Sequence, residues 1–138
     1  YCTIVLMMIV ADTNAFLAVA LHEPERQQII ALTCGHRLVA PEILPFEMGN
    51  ALMALRKRGV LTPNQVMLVW DATQRIAVEL HRIDIKSALS IACRFGIYAH
   101  DAYFLECALC LRLPLLTLDH GMKRCARQLS ITLMEQPQ

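Results

Sequence analysis

The chain alternates between short apolar runs and longer stretches whose apolar residues recur at helical spacing. The run TIVLMMIVA (3–11) is continuously apolar, as expected of a strand that is buried on both faces. Further runs, several of them rich in β-branched residues, also predict strands. These runs lie at 36–40, 75–83, 113–118 and 131–134.

Helical patterns separate these runs, and several carry recognisable end signals. Thr62-Pro63 marks a helix start, Asp84 is a predicted cap, and Gly59 and Gly96 are predicted stops. Parallel strands joined by helical crossovers indicate the α/β class, here a three-layer α/β/α sandwich with a central, mostly parallel sheet. The predicted helices span about 13–21, 24–35, 43–59, 63–75, 85–96, 101–111 and 120–129.

No repeat, low-complexity segment or linker interrupts this alternation, so we expect one domain over residues 1–138. Residues 1–6 precede Met7 and Met8, either of which makes a natural start, and we expect them to be upstream or non-native sequence. The apolar share of 56% exceeds the average of about 45–50%. This excess predicts a sheet covered by helices, or apolar surface that another copy or a partner buries, or both.

Charge and cysteine content narrow the class of protein only a little. The net charge of +1 does not by itself point to nucleic acid. Asp12 interrupts the first apolar run well before the ~20 residues that a membrane span needs, and no basic segment precedes it, so we expect neither a span nor a signal peptide. The pair Cys107 and Cys110 lies inside a helical pattern with no second pair. We therefore expect buried, reduced thiols and a cytoplasmic location rather than a zinc site.

Three aspartates lie at junctions between predicted elements, and one glutamate lies inside an apolar helical stretch. Asp12 ends the first strand, Asp119 ends the fourth, Asp101 opens the helix before it, and Glu47 lies in LPFEMGNALMAL. Ligands of open parallel sheets bind beyond the carboxyl ends of the strands, so Asp12 and Asp119 meet there if their strands are neighbours. Taken singly, each aspartate is also explained as a helix N-cap.

Four carboxylates in one crevice would repel one another and raise one or more pKa values unless a cation lay among them. Oxygen ligands without organised Cys or His residues favour Mg²⁺ or Mn²⁺. Such a metal activates water and neutralises charge on a phosphoryl group, which predicts hydrolysis of a phosphodiester. Asn14 and Thr117, the latter on the same face of the fourth strand as Asp119, are expected to orient carboxylates or water. Ordinary cap and turn roles explain both equally well.

Other phosphate chemistries fit the sequence less well. The chain contains neither G-x-x-x-x-G-K-[ST] nor a G-x-G-x-x-G after a strand, which disfavours nucleotide-triphosphate and dinucleotide sites. A phosphoaspartyl mechanism at Asp12 stays open in principle, but the DTN segment has no second Asp two residues on to act as acid and base.

Four segments, ADTNAFLA, PEILPFEMGNAL, HDAYFLECAL and LLTLDHGMKRCA, resemble in their order and spacing the PIN-domain nucleases, and most closely the VapC-type toxins of prokaryotic toxin–antitoxin pairs. The resemblance covers about residues 8–134. It implies an endoribonuclease that depends on Mg²⁺ or Mn²⁺, forms a homodimer, and is inhibited by a cognate antitoxin protein covering the active site. It also implies a metal-binding acidic quartet with polar neighbours Asn14 and Thr117. The quartet consists of Asp12, Glu47, Asp101 and Asp119.

Two basic clusters are candidates for contact with RNA phosphates. Residues 56–58 end a predicted helix, where cations are favoured in any case. Lys123, Arg124 and Arg127 follow Asp119 by one to two helical turns, and we favour them as the RNA contacts.

His100 and His120 flank two members of the quartet, and we expect supporting or surface roles for them because metal-activated water needs no histidine base. Two other functions remain open at this point. One is a PIN-like module that only binds RNA or protein, and the other is a small α/β phosphohydrolase that acts through an Asp12 phosphoenzyme.

Overall fold

The computed structural model of the protein describes residues 7–135, in which strands and helices alternate along the chain. All strand pairs in this range are parallel, and the order across the sheet is β3-β2-β1-β4. The α/β class with a central parallel sheet is therefore confirmed. The strands are β1 (Met8–Ala11), β2 (Arg37–Pro41), β3 (Glu79–His81) and β4 (Leu115–Leu116).

The helices follow the predicted pattern closely, and local signals explain several of their ends. Thr62 and Gln65 form a reciprocal capping box at the start of α4, and Asp84 accepts backbone N–H bonds at the start of α5. Gly96 ends α5 in the left-handed region, with φ of 65°. The helices are α1 (Thr13–Ala20), α2 (Arg26–Thr33), α3 (Leu44–Lys57), α4 (Pro63–Gln74), α5 (Ile85–Phe95), α6 (Ala99–Leu111) and α7 (His120–Gln128).

The predicted strands are longer than the observed ones. A strand ends where its pairing partner ends, so β3 and β4 keep only three and two residues of the apolar runs at 75–83 and 113–118. The predicted strand at 131–134 is wrong: one isolated bridge joins Leu133 to Leu115. Residues 3–6 of the first predicted strand lie outside the described residues. The expected extent of the domain, 1–138 with 1–6 upstream, stays a prediction.

Two predicted helix starts are also corrected. α6 begins at Ala99, two residues before Asp101, so Asp101 lies in the first turn and Tyr98 is the N-cap residue. α2 begins at Arg26 rather than at Pro24, because a turn in which Arg26 N–H bonds to the Glu23 carbonyl precedes it.

The core lies on both faces of the central strands. Ile9 and Val10 of β1 point to opposite faces, and neither side chain is exposed. Helices therefore cover both sides of the sheet, which accounts for part of the high apolar content. Large apolar side chains are also exposed, among them Phe46 at 71% and Leu68 at 66%.

The thiols are less buried than expected. Cys107 and Cys125 are buried, but Cys34, Cys93 and Cys110 are exposed; Cys2 lies outside the described residues. Burial raises the pKa of Cys107 to about 12, so this thiol stays protonated and is a poor metal ligand. Within residues 7–135, no helix is both long and apolar enough to cross a bilayer.

Candidate active site

A cavity of about 290 Å³ lies at the carboxyl end of β1 and contains all four predicted acidic residues in its wall. We call it the acidic cavity. Because β4 pairs directly with β1, Asp12 and Asp119 meet at this edge of the sheet, as the sequence predicts if the two strands are neighbours. The lining residues are Asp12, Thr13, Asn14, Glu47, Asn50, Ala51, His100, Asp101, Phe104, Asp119 and Met122.

Asp12 is both a helix cap and the most buried acid of the cavity. Its Oδ1 accepts the Ala15 N–H at 3.0 Å, and its Oδ2 accepts the hydroxyl of Thr117. The residue is 4% exposed. Burial raises the pKa of Asp12 to about 6 even though both hydrogen bonds lower it, and repulsion from Asp119 and Asp101 adds to the rise. The capping role of Asp12 therefore does not exclude its predicted role in the site.

Thr117 links two of the acids. Its hydroxyl donates to Asp12 and accepts the Asp119 N–H at 3.1 Å, while Asp119 Oδ1 accepts the Met122 N–H at 2.9 Å and caps α7. The sequence predicts that Thr117 lies on the same face of the fourth strand as Asp119. This prediction is wrong, because β4 ends at Leu116 and Thr117 lies beyond it. The chain after β4 brings the hydroxyl to the Asp12 carboxylate and to the backbone N–H of Asp119, so one side chain connects the two residues.

Glu47 reaches the acidic cavity from the first turn of α3, where the helix dipole favours a negative charge. Asn50, three residues further on, lines the same cavity, as helical spacing predicts. Asn14 also lines it from the first turn of α1, but its side chain makes no hydrogen bond within residues 7–135. Its predicted orienting role stays a prediction.

Asp101 lies in the first turn of α6 and is not an N-cap, which corrects one of the two explanations weighed for it. Burial raises the pKa of Asp101, and the charges of Asp119 and Glu47 raise it further. His100 opposes this rise, with its Nε2 3.5 Å from Asp101 Oδ1. The histidine therefore contacts the acid, in keeping with a supporting role.

The acidic cavity has an unbalanced charge. Four carboxylates line it, and its described lining contains neither Lys nor Arg. This oxygen-rich donor set around a buried carboxylate fits a hard divalent cation such as Mg²⁺ or Mn²⁺. Among residues 7–135, however, no three His, Cys, Asp or Glu side chains already converge as a metal cluster. Binding a cation therefore requires the carboxylates to turn towards it.

The predicted RNA contacts divide between two surfaces. Lys123 and Arg127 line a second cavity of about 660 Å³, where both pair with Glu135 Oε1, at 3.5 and 3.2 Å. Arg124 lies on the acidic side: its Nη2 and Asp119 Oδ1 both border the space beside Gly121. Arg124 thus lies near Asp119, although it does not line the acidic cavity.

Tyr98 is the residue near the cavity that sequence reasoning missed. It precedes α6, is 76% exposed, and stacks on His100. The signal that would have found it is an aromatic residue at a helix start, where short polar residues are usual.

Comparison with known proteins agrees with this geometry. The model of the PIN domain family matches residues 9–128. Ribonuclease VapC3 of Pyrobaculum aerophilum is 25% identical over 121 residues, which cover 84% of this chain and 92% of that protein. The predicted resemblance to VapC-type PIN-domain proteins is confirmed.

Two solved structures share the fold. One is PAE2754 from Pyrobaculum aerophilum, with a TM-score of 0.65 and 19% identity, covering 86% of this chain and 79% of that one. The other is VapBC2 from Rickettsia felis, bound to a DNA fragment from its promoter, with a TM-score of 0.64 and 15% identity, covering 92% of this chain and 97% of that one. The chain belongs to the PIN-domain family.

Proposed function

We propose that this PIN-domain protein is a metal-dependent endoribonuclease toxin that hydrolyses RNA phosphodiester bonds and is inhibited by a cognate antitoxin. The observation that carries the proposal is the acidic cavity: four carboxylates, one of them almost fully buried, with no Lys or Arg in the described lining. A cavity of this kind is costly for the free protein, because the buried charge of Asp12 lacks a counter-ion. It becomes favourable when a divalent cation binds.

In this proposal Asp12, Asp101 and Asp119 hold Mg²⁺ or Mn²⁺, and Glu47 completes the site as a ligand or by positioning the attacking water. When bound, the cation supplies a lowered pKa for water and neutralises charge on the phosphoryl group. The Thr117 hydroxyl connects Asp12 and Asp119, because it donates to the Asp12 carboxylate and accepts the Asp119 N–H. The Asp12 carboxylate is thus oriented before a cation binds, which lowers the conformational freedom that it loses on binding.

A phosphoenzyme at Asp12 is less consistent with the structure. Both carboxylate oxygens already accept hydrogen bonds, one from Ala15 N–H and one from Thr117, and the side chain is buried. A phosphoryl ester on Asp12 would turn the charged carboxylate into a neutral acyl phosphate, a weaker acceptor for its two buried donors. Attack by water avoids that cost.

RNA as the substrate is supported by the relative VapC3, which is a ribonuclease, and by the position of Arg124 near Asp119. Lys123 and Arg127 remain part of the proposed RNA contact, although they pair with Glu135 in the free protein. We place the activity in the cytoplasm, where reduced cysteines such as the exposed Cys34, Cys93 and Cys110 persist.

An antitoxin partner and a homodimer belong to the same proposal. The likeness to a VapBC complex supports the first, and exposed apolar side chains on α3, α4 and their connection supply surface for either. These side chains are Met53, Val60, Met67 and Leu68, all between 48% and 66% exposed.

The deciding experiment is cleavage of a mixed RNA pool by antitoxin-free protein in Mn²⁺, in Mg²⁺ and in EDTA. The parent is compared with Asp12→Asn and Asp101→Asn, and with Asp71→Asn as a matched control, since Asp71 is an exposed acid of α4 outside the cavity. We expect cleavage that needs metal, is reduced on the order of 100-fold or more in both cavity variants, and is unchanged in the control.

Cleavage that persists in EDTA, or in both cavity variants, would reject the metal site. RNA binding by the parent without cleavage in either metal would favour the binding-only module. Trapping of the parent by beryllofluoride without RNA cleavage would favour the phosphohydrolase.

A further inference from the structure

Beside the acidic cavity, two aromatic rings form an exposed stack. The rings of Tyr98 and His100 are 5.5 Å apart between centroids and only 11° from parallel. His100 lines the acidic cavity and contacts Asp101, whereas Tyr98 lies on the outer side of the stack and is 76% exposed. The stack thus extends outward from the acids, and the outer face of the Tyr98 ring is open.

Tyr98 has no evident structural task. It is the N-cap residue of α6, a position where Ser, Thr, Asp or Asn would bond to the free N–H groups of the first turn, yet its side chain makes no such bond. Its hydroxyl makes no hydrogen bond within residues 7–135. Tyr103, by contrast, packs against the hydrophobic core.

An exposed aromatic ring beside a nuclease site has a physical use. Proteins that bind single-stranded nucleic acid stack successive bases on aromatic side chains, and this contact tolerates any base because every base has a π-face. A base seated on Tyr98 would hold the strand next to the acids without contributing a negative charge to a cavity that is already acidic.

We infer that Tyr98, braced by His100, is a stacking platform for a base of single-stranded RNA next to the bond that is cut. This inference rests on the proposed nuclease function and adds a substrate contact to it. Tyr98 binds the base through its ring face, and His100 acts as a positioning residue that keeps the ring parallel to the incoming base.

The test compares binding of labelled oligoadenylate of roughly ten nucleotides with binding of a strand of equal length that lacks bases. Fluorescence anisotropy is measured at low salt in EDTA, which prevents cleavage, and repeated in Mg²⁺ on a short time scale. The variants are Tyr98→Ala, Tyr98→Phe and His100→Ala. Phe46→Ala is the matched control, because Phe46 is 71% exposed but lines a different cavity.

We expect Tyr98→Ala to weaken binding of oligoadenylate about 5- to 100-fold and to leave binding of the base-free strand unchanged. Tyr98→Phe keeps the ring and should bind like the parent, which separates stacking from a hydroxyl contact. His100→Ala should lose part of the preference for bases, and Phe46→Ala none. Tyr98→Ala is expected to stay folded, since its ring is exposed and makes no cap bond.

The two proposals fail in different ways. A protein that does not cleave but shows a Tyr98-dependent preference for bases keeps the platform and rejects the nuclease. A protein that cleaves while Tyr98→Ala leaves the preference unchanged keeps the nuclease and overturns the platform. Absence of oligoadenylate binding by the parent in both EDTA and Mg²⁺ also overturns the platform.

Discussion

Two cavities lie on either side of Thr117. They differ in whether the charged side chains that line them are paired with side chains of opposite charge. In the larger one, which we call the Glu135 cavity, Lys123 and Arg127 both pair with Glu135 of the same chain. In the smaller acidic cavity, four carboxylates line the wall, and its described lining contains no Lys or Arg. Thr117 lines the first cavity and bonds to Asp12 in the second.

The comparison favours unbalanced charge over cavity size as the guide to a candidate site. In the Glu135 cavity the protein supplies one carboxylate for two cations, so each charge there already has a partner of opposite sign. The acidic cavity leaves its charge to be balanced from outside, and burial makes that imbalance costly at Asp12. A carboxylate in a cleft whose pKa is shifted by burial and by neighbouring charges is a candidate for a functional group.

The largest expected effect is a change in the free energy of unfolding in the variant Asp12→Asn. The folded-state pKa of Asp12 is raised from 3.8 to about 6, so the folded protein loses stability as pH rises through this window. At pH 8 in EDTA the buried charge then costs up to about 3 kcal/mol, which Asn avoids while it still accepts the Ala15 N–H bond.

Urea unfolding of parent and Asp12→Asn from pH 4 to pH 8 measures this cost. The free energy of unfolding of the variant should increase relative to that of the parent as pH rises. Mg²⁺ should stabilise only the parent. The same measurement is made on Glu135→Gln, which removes the carboxylate of the Glu135 cavity. A difference between Asp12→Asn and parent that does not change with pH would contradict the buried-charge interpretation.

The next effect concerns Thr117, which separates the two cavities. Thr117→Val keeps the shape but removes the donor to Asp12 and the acceptor for Asp119 N–H, so we expect Mg²⁺ affinity to fall about 10- to 100-fold. Thr117→Ser retains the hydroxyl and should bind Mg²⁺ nearly like the parent. Calorimetric titration checks both. Equal affinity of the valine variant would show that Thr117 only fills space.

A smaller effect is expected at Gly121, beside Asp119. A Cβ there would lie 3.0 Å from Asp119 Oδ1 and 3.7 Å from Arg124 Nη2. Gly121→Ala should therefore displace the carboxylate and lower Mg²⁺ affinity a few-fold, while Ala in a helix raises intrinsic stability by up to about 1 kcal/mol. Gly49→Ala is the matched control, because its Cβ meets nothing within 4 Å. An unaltered affinity in Gly121→Ala would mean that Asp119 adjusts freely.

The smallest effect distinguishes the basic residues. Arg124→Ala should reduce the salt dependence of RNA binding by about one unit of log–log slope, because Arg124 lies near Asp119 at Gly121 and pairs with no acid within residues 7–135. Arg127→Ala should change it less, since Arg127 is paired with Glu135. That exposed pair contributes only about 0–1 kcal/mol, so neither variant should unfold. Equal slopes for both variants would show that RNA displaces Glu135 and engages both cavities.

The amino-acid sequence alone determined which segments become helices and which residues carry the chemistry. The signals at Thr62, Asp84 and Gly96 act over a few residues, so they are readable without a partner segment. The four acids stood out because each interrupts or borders an apolar stretch, where an unpaired carboxylate is costly. The three-layer class followed from the alternation of strands and helices.

Only the tertiary structure decided how these residues meet. Strand lengths depend on partners far along the chain, which is why 131–134 forms one bridge instead of a strand. The pairing of β4 with β1 brings Asp119 to Asp12, and the loop after β4 turns Thr117 onto both. The direction of α7 separates Arg124 from Lys123 and Arg127. Contacts between distant segments, and the burial that raises the pKa of Asp12, arise only when the whole sheet has assembled.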